Sequence, residues 1–323
     1  MKLIQLLAVG VTAACLVAPI QAQDSKFPDK LIRMIVPFAA GGGVDSAARL
    51  LANQLHKQLG VSVIVDNRAG ASGVLGGKAV ESAPADGYTL LFSASTHALS
   101  QQVLSRSPYD PQADFTPVAR VAEAPLLLVT ATSVEPTKLA DVLSLARKEG
   151  DRWTAAIPAS GAASHLGTLL MAKQASTKFT YVAYKGTQPA VADVAGGHVN
   201  MLLDSMVSLL PLAKAGRVKP IMITATKRSP LAPDVPTAQE SGYPGLTYGS
   251  WYGVWAPKGL PADRVKQLNT AINAAVEELV KKGALASLGL EPVSESPEQF
   301  KRYIATYVTQ SAELLKSAGF KPE

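Results

Sequence analysis

Short apolar segments alternate with helix-like segments along most of the chain, and this alternation constrains the fold more than any other feature. The apolar segments are almost uninterrupted, which is typical of strands that are buried on both faces of a parallel sheet. The segments between them repeat apolar residues at spacings of three and four, as an amphipathic helix does. The sequence therefore predicts an α/β protein in which helices connect parallel strands.

The pattern places most of these elements. The predicted strands comprise residues 31–37, 61–65, 88–92, 126–130, 153–157, 179–183, 199–203, 220–225 and 251–256. The predicted helices comprise residues 44–59, 139–149, 163–173, 189–195, 264–282 and 297–316.

The length of the chain favours two α/β domains over one, joined by a hinge of two crossing strands. The regular pattern stops after Ala225, in a stretch rich in Pro and Gly at 229–249. We interpret 251–256 as a strand that returns to the first domain, because the last two helices need a sheet to cover. The first domain is then discontinuous, with pieces 23–124 and 251–323, and the second domain is 125–250.

The first residues have the layout of a cleavable secretory signal peptide, predicted as 1–22. Lys2 is followed by an uncharged apolar run to Ile20, and Ala22 is the expected cleavage position. A retained membrane anchor is an alternative, although the run is short for a stable span. Lipid attachment at Cys15, the single cysteine, is another, but the residues before it lack the usual apolar position. The prediction is a periplasmic protein without disulfides.

Composition and motifs argue against several functions. Charged residues make up 17% of the chain and the formal net charge is +6, but there is no Lys/Arg run of the kind that nucleic acid requires. The four histidines show no metal-binding spacing. There is no G-x-S-x-G nucleophile motif and no pair of carboxylates in one loop. We therefore predict a binding protein with no catalytic residue, cofactor or metal.

The most distinctive local feature is the turn at 36–45, Val-Pro-Phe-Ala-Ala-Gly-Gly-Gly-Val-Asp, which follows a strand and opens a helix. Glycines at such a junction let backbone N–H groups, here those of Gly41 and Gly42, converge on an anion at the helix N-terminus. A flexible turn in which Asp45 stabilises the helix dipole is the alternative interpretation.

Polar residues also follow other predicted strands. Because ligands bind at the carboxyl ends of parallel strands, we expect these residues to line the same site. Helix capping, packing of His165 and simple solvation of Lys185 are the alternatives that the sequence leaves open. The complete set of candidate ligand-binding residues is Phe38, Ala39, Ala40, Gly41, Gly42, Asp45, Ser93, Ser95, Thr96, Pro158, Ser160, Gly161, Ser164, His165, Tyr184, Lys185, Gly186, Asp204 and Ser205.

A nicotinamide-dependent oxidoreductase is the main alternative function. Gly41-x-Gly43-x-x-Ser46 follows a strand, and Asp66 ends the next strand, which is similar to a dinucleotide fingerprint with Ser at its third glycine. Export through a general signal peptide disfavours this alternative, because the exported chain reaches a compartment poor in such cofactors.

The sequence resembles the Bug or TctC-type substrate-binding proteins of tripartite tricarboxylate transporters. Motifs that carry the resemblance occur in order over nearly the whole chain, at 28–33, 36–45, 65–73, 85–91, 184–190, 235–240 and 251–257. The resemblance implies a type II periplasmic-binding fold that closes on a carboxylated ligand. Backbone amides, hydroxyls and ordered waters of 38–45 and 158–165 would hold this ligand, with 93–96, 184–186 and 204–205 completing the pocket. Residues 158–165 contain alanines where relatives often carry Gly, Ser or Thr, so the resemblance implies mainly a backbone role for this loop.

The resemblance also implies an extracytoplasmic receptor that delivers a small carboxylated solute to the membrane subunits of a transporter. We expect a monomer. The solute itself stays open between a dicarboxylate, a tricarboxylate, an acidic or amide amino acid, nicotinic acid and an aromatic acid.

Overall fold

The computed structural model describes residues 27–322, whose strands form two β-sheets. The predicted signal peptide and Cys15 lie outside these residues. The first sheet has the order β11-β4-β10-β3-β1-β2. Its strands are β1 (Ile32–Val36), β2 (Val63–Asn67), β3 (Thr89–Ala94), β4 (Phe115–Ala124), β10 (Ser250–Pro257) and β11 (Glu291–Pro292).

The second sheet is formed by the middle of the chain and has the order β7-β6-β8-β5-β9. Its strands are β5 (Leu126–Thr130), β6 (Thr154–Ile157), β7 (Thr180–Ala183), β8 (Met201–Ser205) and β9 (Lys219–Ile223). Apart from β10, which begins one residue early at Ser250, each sheet draws its strands from the chain segments predicted for one domain. The domain boundaries themselves stay a prediction.

Helices cover the sheets. They are α1 (Gly43–Leu59), α2 (Val74–Glu81), α3 (Ser100–Val103), α4 (Leu139–Glu149), α5 (Ala163–Gln174), α6 (Thr187–Ala195), α7 (Met206–Lys214), α8 (Ala262–Lys281) and α9 (Pro297–Ser317). The start of α9 is the best-defined boundary, because Ser296 and Gln299 form a reciprocal capping box and Pro297 occupies the first turn. Among residues 27–322, no helix is long and apolar enough to span a bilayer.

Both sheets are mixed, so the prediction of parallel sheets is correct only in part. The strands β1, β2 and β3 are parallel, as are β6, β7 and β8, but β10 and β5 are antiparallel to their neighbours. The route of the chain explains the exceptions. Only Pro125 separates the end of β4 from the start of β5. Strand β5 therefore enters the second sheet from the edge at which β4 leaves the first, and β10 enters the first sheet from that same edge.

The elements that were not predicted are β4, β11, α2, α3 and α7. For β4 and α2 the reason can be identified. Strand β4 carries Arg120 and Glu123 and has both buried and partly exposed positions, so it lacks a continuous apolar run. Helix α2 contains Gly76 and Gly77, which have low helix propensity. A side chain at Gly77 would overlap the Tyr109 ring, so close packing accounts for that glycine.

The apolar core has three parts. One fills the second sheet and its helices, and a second lies between the first sheet and helices α1 and α8. The third part lies on the other face of the first sheet, beneath α9, where Trp251 and Trp255 are almost completely buried. Leu166 and Leu169 of α5 belong to this third part, so the core continues from one sheet's helices to the other's.

His97 lies inside the third part of the core. Its ring packs against Tyr109, Phe115 and Trp255, with centroid distances of 5.5, 4.6 and 4.9 Å. Burial lowers the pKa of His97 to about 3, because no charged partner offsets the cost of burying an imidazolium. The folded protein therefore holds this histidine neutral.

His97 is expected to make stability depend on pH. Below about pH 6.5, His97 is protonated in the unfolded chain but stays neutral in the folded chain. The free energy of unfolding therefore decreases as the pH falls. Between pH 6.5 and 5 the loss should be about 1.5–2 kcal/mol of unfolding free energy. Urea titrations of the wild type and His97→Phe over this range would measure it. Equal pH slopes in the two proteins would contradict the assignment.

Candidate functional site

The predicted site loops follow parallel strands and leave each sheet at one edge. Residues 38–42 follow β1 and residues 95–96 follow β3 in the first sheet. In the second sheet, the loops after β6 and β7 and the end of β8 lie at one edge for the same reason. The chain crosses between the sheets at these edges, so the two sets of loops face each other.

The first loop is held by the buried side chain of Asp45. This carboxylate accepts hydrogen bonds from the backbone N–H of Gly41 (2.9 Å), from Arg49 (3.0 Å) and from Asn67 (2.9 Å). Asn67 also donates to the carbonyl of Phe38 at 3.1 Å. Burial alone would raise the pKa of Asp45, but the bonds from Arg49, Gly41 and Asn67 outweigh it and hold the pKa below its usual value.

This arrangement gives Gly41 a partner that the sequence did not indicate. Its N–H donates to Asp45 within the loop. The contact of Gly41 with a bound anion stays a prediction. Gly41 has a φ of +85°, a conformation that glycine adopts readily, and this conformation brings its N–H to Asp45. Gly42 precedes the first residue of α1 and provides no side-chain cap, so the early N–H groups of α1 lack the usual partner.

The start of α1 meets the second sheet at what we call the Gly43 junction, formed by Gly43, Ser205 and Tyr252. A Cβ at Gly43 would lie 2.8 Å from the Tyr252 hydroxyl and 3.1 Å from Ser205 Oγ. The two hydroxyls are 3.5 Å apart. Only glycine permits this approach, which brings a helix start, the end of β8 and the start of β10 to one point.

Tyr252 is the residue that the sequence reasoning missed. It is 2% exposed, and burial raises the pKa of its hydroxyl to about 12. The aromatic run around it was predicted only as a strand that returns to the first domain, and most of that run is buried in the core. Tyr252 lies near the start of β10, where the chain enters the first sheet from the second, so its hydroxyl was the signal that could have indicated a site residue.

The candidate residues at the end of β3 and directly after it are buried. Ser93 and Ser95 are 0% exposed and Thr96 is 4% exposed. Ser93 Oγ has no hydrogen-bond partner within the described part of the chain. The Ser95 side chain lies next to the Tyr307 hydroxyl of α9, close enough to affect the Tyr307 pKa.

The second loop packs inward. The N–H of Gly161 donates to Nδ1 of His165 at 3.2 Å, and a side chain at Gly161 would overlap Val103 of α3. The His165 ring packs between Tyr181 and Phe320 at centroid distances of 6.1 and 5.3 Å. These contacts match the packing alternative for His165. Ser164 is 1% exposed, and its Oγ has no hydrogen-bond partner among residues 27–322.

The remaining candidates belong to the second sheet. The Pro158 carbonyl accepts a hydrogen bond from Gly186 at 2.9 Å, which joins the loops after β6 and β7. The Tyr184 hydroxyl donates to Asp193 at 2.7 Å, and Lys185 is exposed. Asp204 is half-buried, and its carboxylate accepts from Thr187 at 2.7 Å.

Two other types of site do not fit the described residues. Within 27–322, no group of three or more His, Cys, Asp or Glu side chains could hold a metal ion. Asp66, which a dinucleotide-binding fold would use to hold a ribose, forms ion pairs with Arg33 and Arg68 at 3.1 and 3.2 Å.

Comparison with known families supplies the decisive observation. The model of the TctC family, described as tripartite tricarboxylate transporter family receptor, matches residues 47–320. The chain belongs to this family. BugT of Bordetella pertussis is 34% identical over 322 residues, which cover 99% of this chain and 98% of BugT. A protein from the tcbD-tcbE intergenic region of Pseudomonas sp. strain P51 is 35% identical over 291 residues, covering 90% and 87% of the two chains.

Solved structures of TctC-type receptors have the same fold. Rpa4515 of R. palustris, solved with adipate, has a TM-score of 0.86 and 34% identity, covering 92% of this chain and 100% of that one. MatC of Rhodopseudomonas palustris, solved with malate, has a TM-score of 0.82 and 32% identity, covering 90% and 100%. The periplasmic binding protein BugD has a TM-score of 0.85, with 32% identity and coverage of 92% and 100%.

Membership in the TctC family confirms several predictions. The fold is the two-domain α/β fold of periplasmic binding proteins, and the chain is a solute receptor rather than the alternative oxidoreductase. Family members are periplasmic, so the receptor functions outside the cytoplasm. The signal peptide at 1–22 and the residues that contact the solute stay predictions.

The Gly43 junction can be tested by a pair of substitutions. Gly43→Ala should destabilise the protein by about 1–3 kcal/mol, because the added methyl group overpacks against two hydroxyls. Tyr252→Phe removes the nearer hydroxyl, so the double variant should recover part of that loss. Urea unfolding of the wild type, both single variants and the double variant gives the coupling energy. Additive effects of the two changes would contradict the close approach.

Proposed function

We propose that this receptor binds one small carboxylated solute between its two sheets and delivers it to the membrane subunits of a tripartite tricarboxylate-type transporter. The observation that carries the proposal is the Gly43 junction. There, the start of a 17-residue helix without a side-chain cap meets hydroxyls from β8 and β10. Helix N–H groups and hydroxyls are the donors that a carboxylate accepts, and the helix dipole favours its charge.

The polar groups of the site fit an anion held by dipoles instead of by an ion pair. Lys185 is the single cationic side chain among the candidate residues after the strands, and it is exposed. Ser93 and Ser164 are buried hydroxyls without a protein partner in the described residues. Buried hydroxyls are normally hydrogen-bonded, so a solute oxygen or an ordered water is the partner we assign to them.

The relatives narrow the class of solute. Rpa4515 was solved with adipate and MatC with malate, and both are dicarboxylates. These two proteins are 34% and 32% identical to this chain over about nine-tenths of its length. We therefore propose that the solute is a dicarboxylate similar in size to adipate or malate. The other acids that the sequence left open are the alternatives for a binding screen.

Binding is expected to close and stabilise the receptor. A solute that touches loops of both sheets binds the closed form better, so it shifts the population toward that form. At a solute concentration about one hundred times Kd, linkage contributes about 2.7 kcal/mol. The melting temperature should rise by roughly 5–10 °C. Calorimetry with adipate, malate, glutamate, nicotinate and benzoate, followed by thermal melts and small-angle scattering with the tightest binder, measures both effects.

Each readout tests a different part of the proposal. Absence of binding for every acid in the panel would refute the carboxylate assignment. A rise in melting temperature without a smaller radius of gyration, in a receptor that is open beforehand, would mean that the solute occupies one domain only. Scattering also gives the mass of the particle and so tests the expectation of a monomer.

A further inference from the structure

Asp204 is an acidic side chain at the edge where an anionic solute is proposed to bind. It is the penultimate residue of β8, directly before Ser205 of the Gly43 junction. One carboxylate oxygen accepts from the N–H of Ser205 at 2.8 Å, and the other accepts from the hydroxyl of Thr187 at 2.7 Å. Each oxygen keeps one further lone pair. The side chain is half-buried, so these lone pairs are only partly solvated.

No cation compensates this carboxylate. Burial raises the pKa of Asp204, the bonds from Thr187 and Ser205 lower it by less, and no charged side chain of residues 27–322 contributes. The titratable group of a neighbouring element that responds to its charge is Tyr252 on β10, whose pKa it helps to raise. The other charged groups at this edge have their own partners or face solvent. Asp45 of α1 binds Arg49, Asp193 of α6 accepts from Tyr184, and Lys185 is exposed.

We infer that the receptor binds a dicarboxylate together with one proton, which Asp204 takes from solvent. The inference rests on the proposed function. A solute carboxylate at the Gly43 junction would place a second negative charge beside the residue that follows Asp204. It would also displace water from an acid that no cation neutralises. Both effects disfavour the ionised form, and carboxylates that share a site commonly retain a proton. Protonated Asp204 can then donate a hydrogen bond to the solute carboxylate, whereas ionised Asp204 would repel that carboxylate.

A solute with an ammonium group would compensate the negative charge of Asp204 without a proton. An amino dicarboxylate such as glutamate would place its cation against ionised Asp204, and no proton would be taken up. The two cases therefore differ in proton stoichiometry. The relatives solved with adipate and malate favour the proton, because neither solute carries an ammonium group.

Calorimetry in two buffers separates these cases. Binding of adipate, malate and glutamate is measured between pH 5.5 and 8 in buffers of different ionisation enthalpy, for the wild type and for Asp204→Asn. The wild type should take up a fraction of a proton per dicarboxylate, and that fraction should be largest at pH values between the pKa of Asp204 in the free receptor and its higher pKa in the complex. Its affinity should fall by up to about tenfold per pH unit as pH rises through this window. Asp204→Asn keeps the size of the side chain and can still accept from the N–H of Ser205 through its one oxygen, while its amide N–H can donate to the Thr187 hydroxyl. It cannot titrate, so proton uptake beyond the solute's own should disappear.

Thr187→Val provides a second variant that keeps the titratable acid. It removes a hydrogen bond that lowers the pKa of Asp204, so the window of proton uptake should move to higher pH. A merely structural role for Asp204 would not predict this movement. Melting curves of both variants without solute establish that they are folded before binding is measured.

The outcomes are distinguishable. Tight binding of a dicarboxylate with equal proton uptake in the wild type and Asp204→Asn would overturn the inference and leave the proposed function intact. Preferential binding of glutamate without proton uptake, lost in Asp204→Asn, would identify a solute ammonium as the partner of Asp204 and also overturn it. If no acid binds, the proposed function fails and this inference fails with it.

Discussion

The connection at Pro125 is the constraint on which the rest of the structure depends. One proline separates β4 from β5, so the chain passes between the sheets without a loop that could reverse its direction. Strand β5 must then run against β6, β7 and β8, and their carboxyl ends must face those of β1, β2 and β3. A single short link thus sets the strand directions and brings every candidate loop to the space between the sheets. The return through β10 completes the same arrangement and places Tyr252 there.

Core patterning made much of this fold predictable from the sequence. Strand β5 and helix α4 were predicted with the bounds that the structure has, because both are bounded by clear changes in hydropathy. Strand β4 was missed because Pro117, Arg120 and Glu123 interrupt its apolar residues and its buried positions do not repeat every second residue. The direction of β5 was also not predictable, since a continuous apolar run is the same in parallel and antiparallel strands.

For the candidate site as well, some features could be predicted from the sequence and others could not. The position of the candidate loops could be predicted, because glycines and small polar residues after parallel strands must lie at the carboxyl ends of those strands. The roles of individual residues could not. Asp45 and Tyr184 look like free polar groups in the sequence, but their partners Gly41 and Asp193 become apparent only when side chains are placed. Ser205 and Tyr252 lie about 160 and about 210 positions after Gly43 in the chain. No local sequence pattern could therefore show that these residues meet at the Gly43 junction.

The physical character of the site explains how related receptors could accept different acids. A helix start, backbone amides and hydroxyls attract any carboxylate, and they do so without the fixed fork geometry that an arginine would impose. Discrimination must then come from the groups around the anchor. Among these, Asp204 differs in kind, because it is an acid beside a site for anions and no charged side chain of residues 27–322 offsets its charge. A site that attracts anions through dipoles and still retains a half-buried acid can balance its charge in two ways, by a proton or by a cationic group on the solute. The choice between them determines whether the solute is a simple dicarboxylate or an amino acid, so the charge state of one side chain bears directly on what this receptor carries.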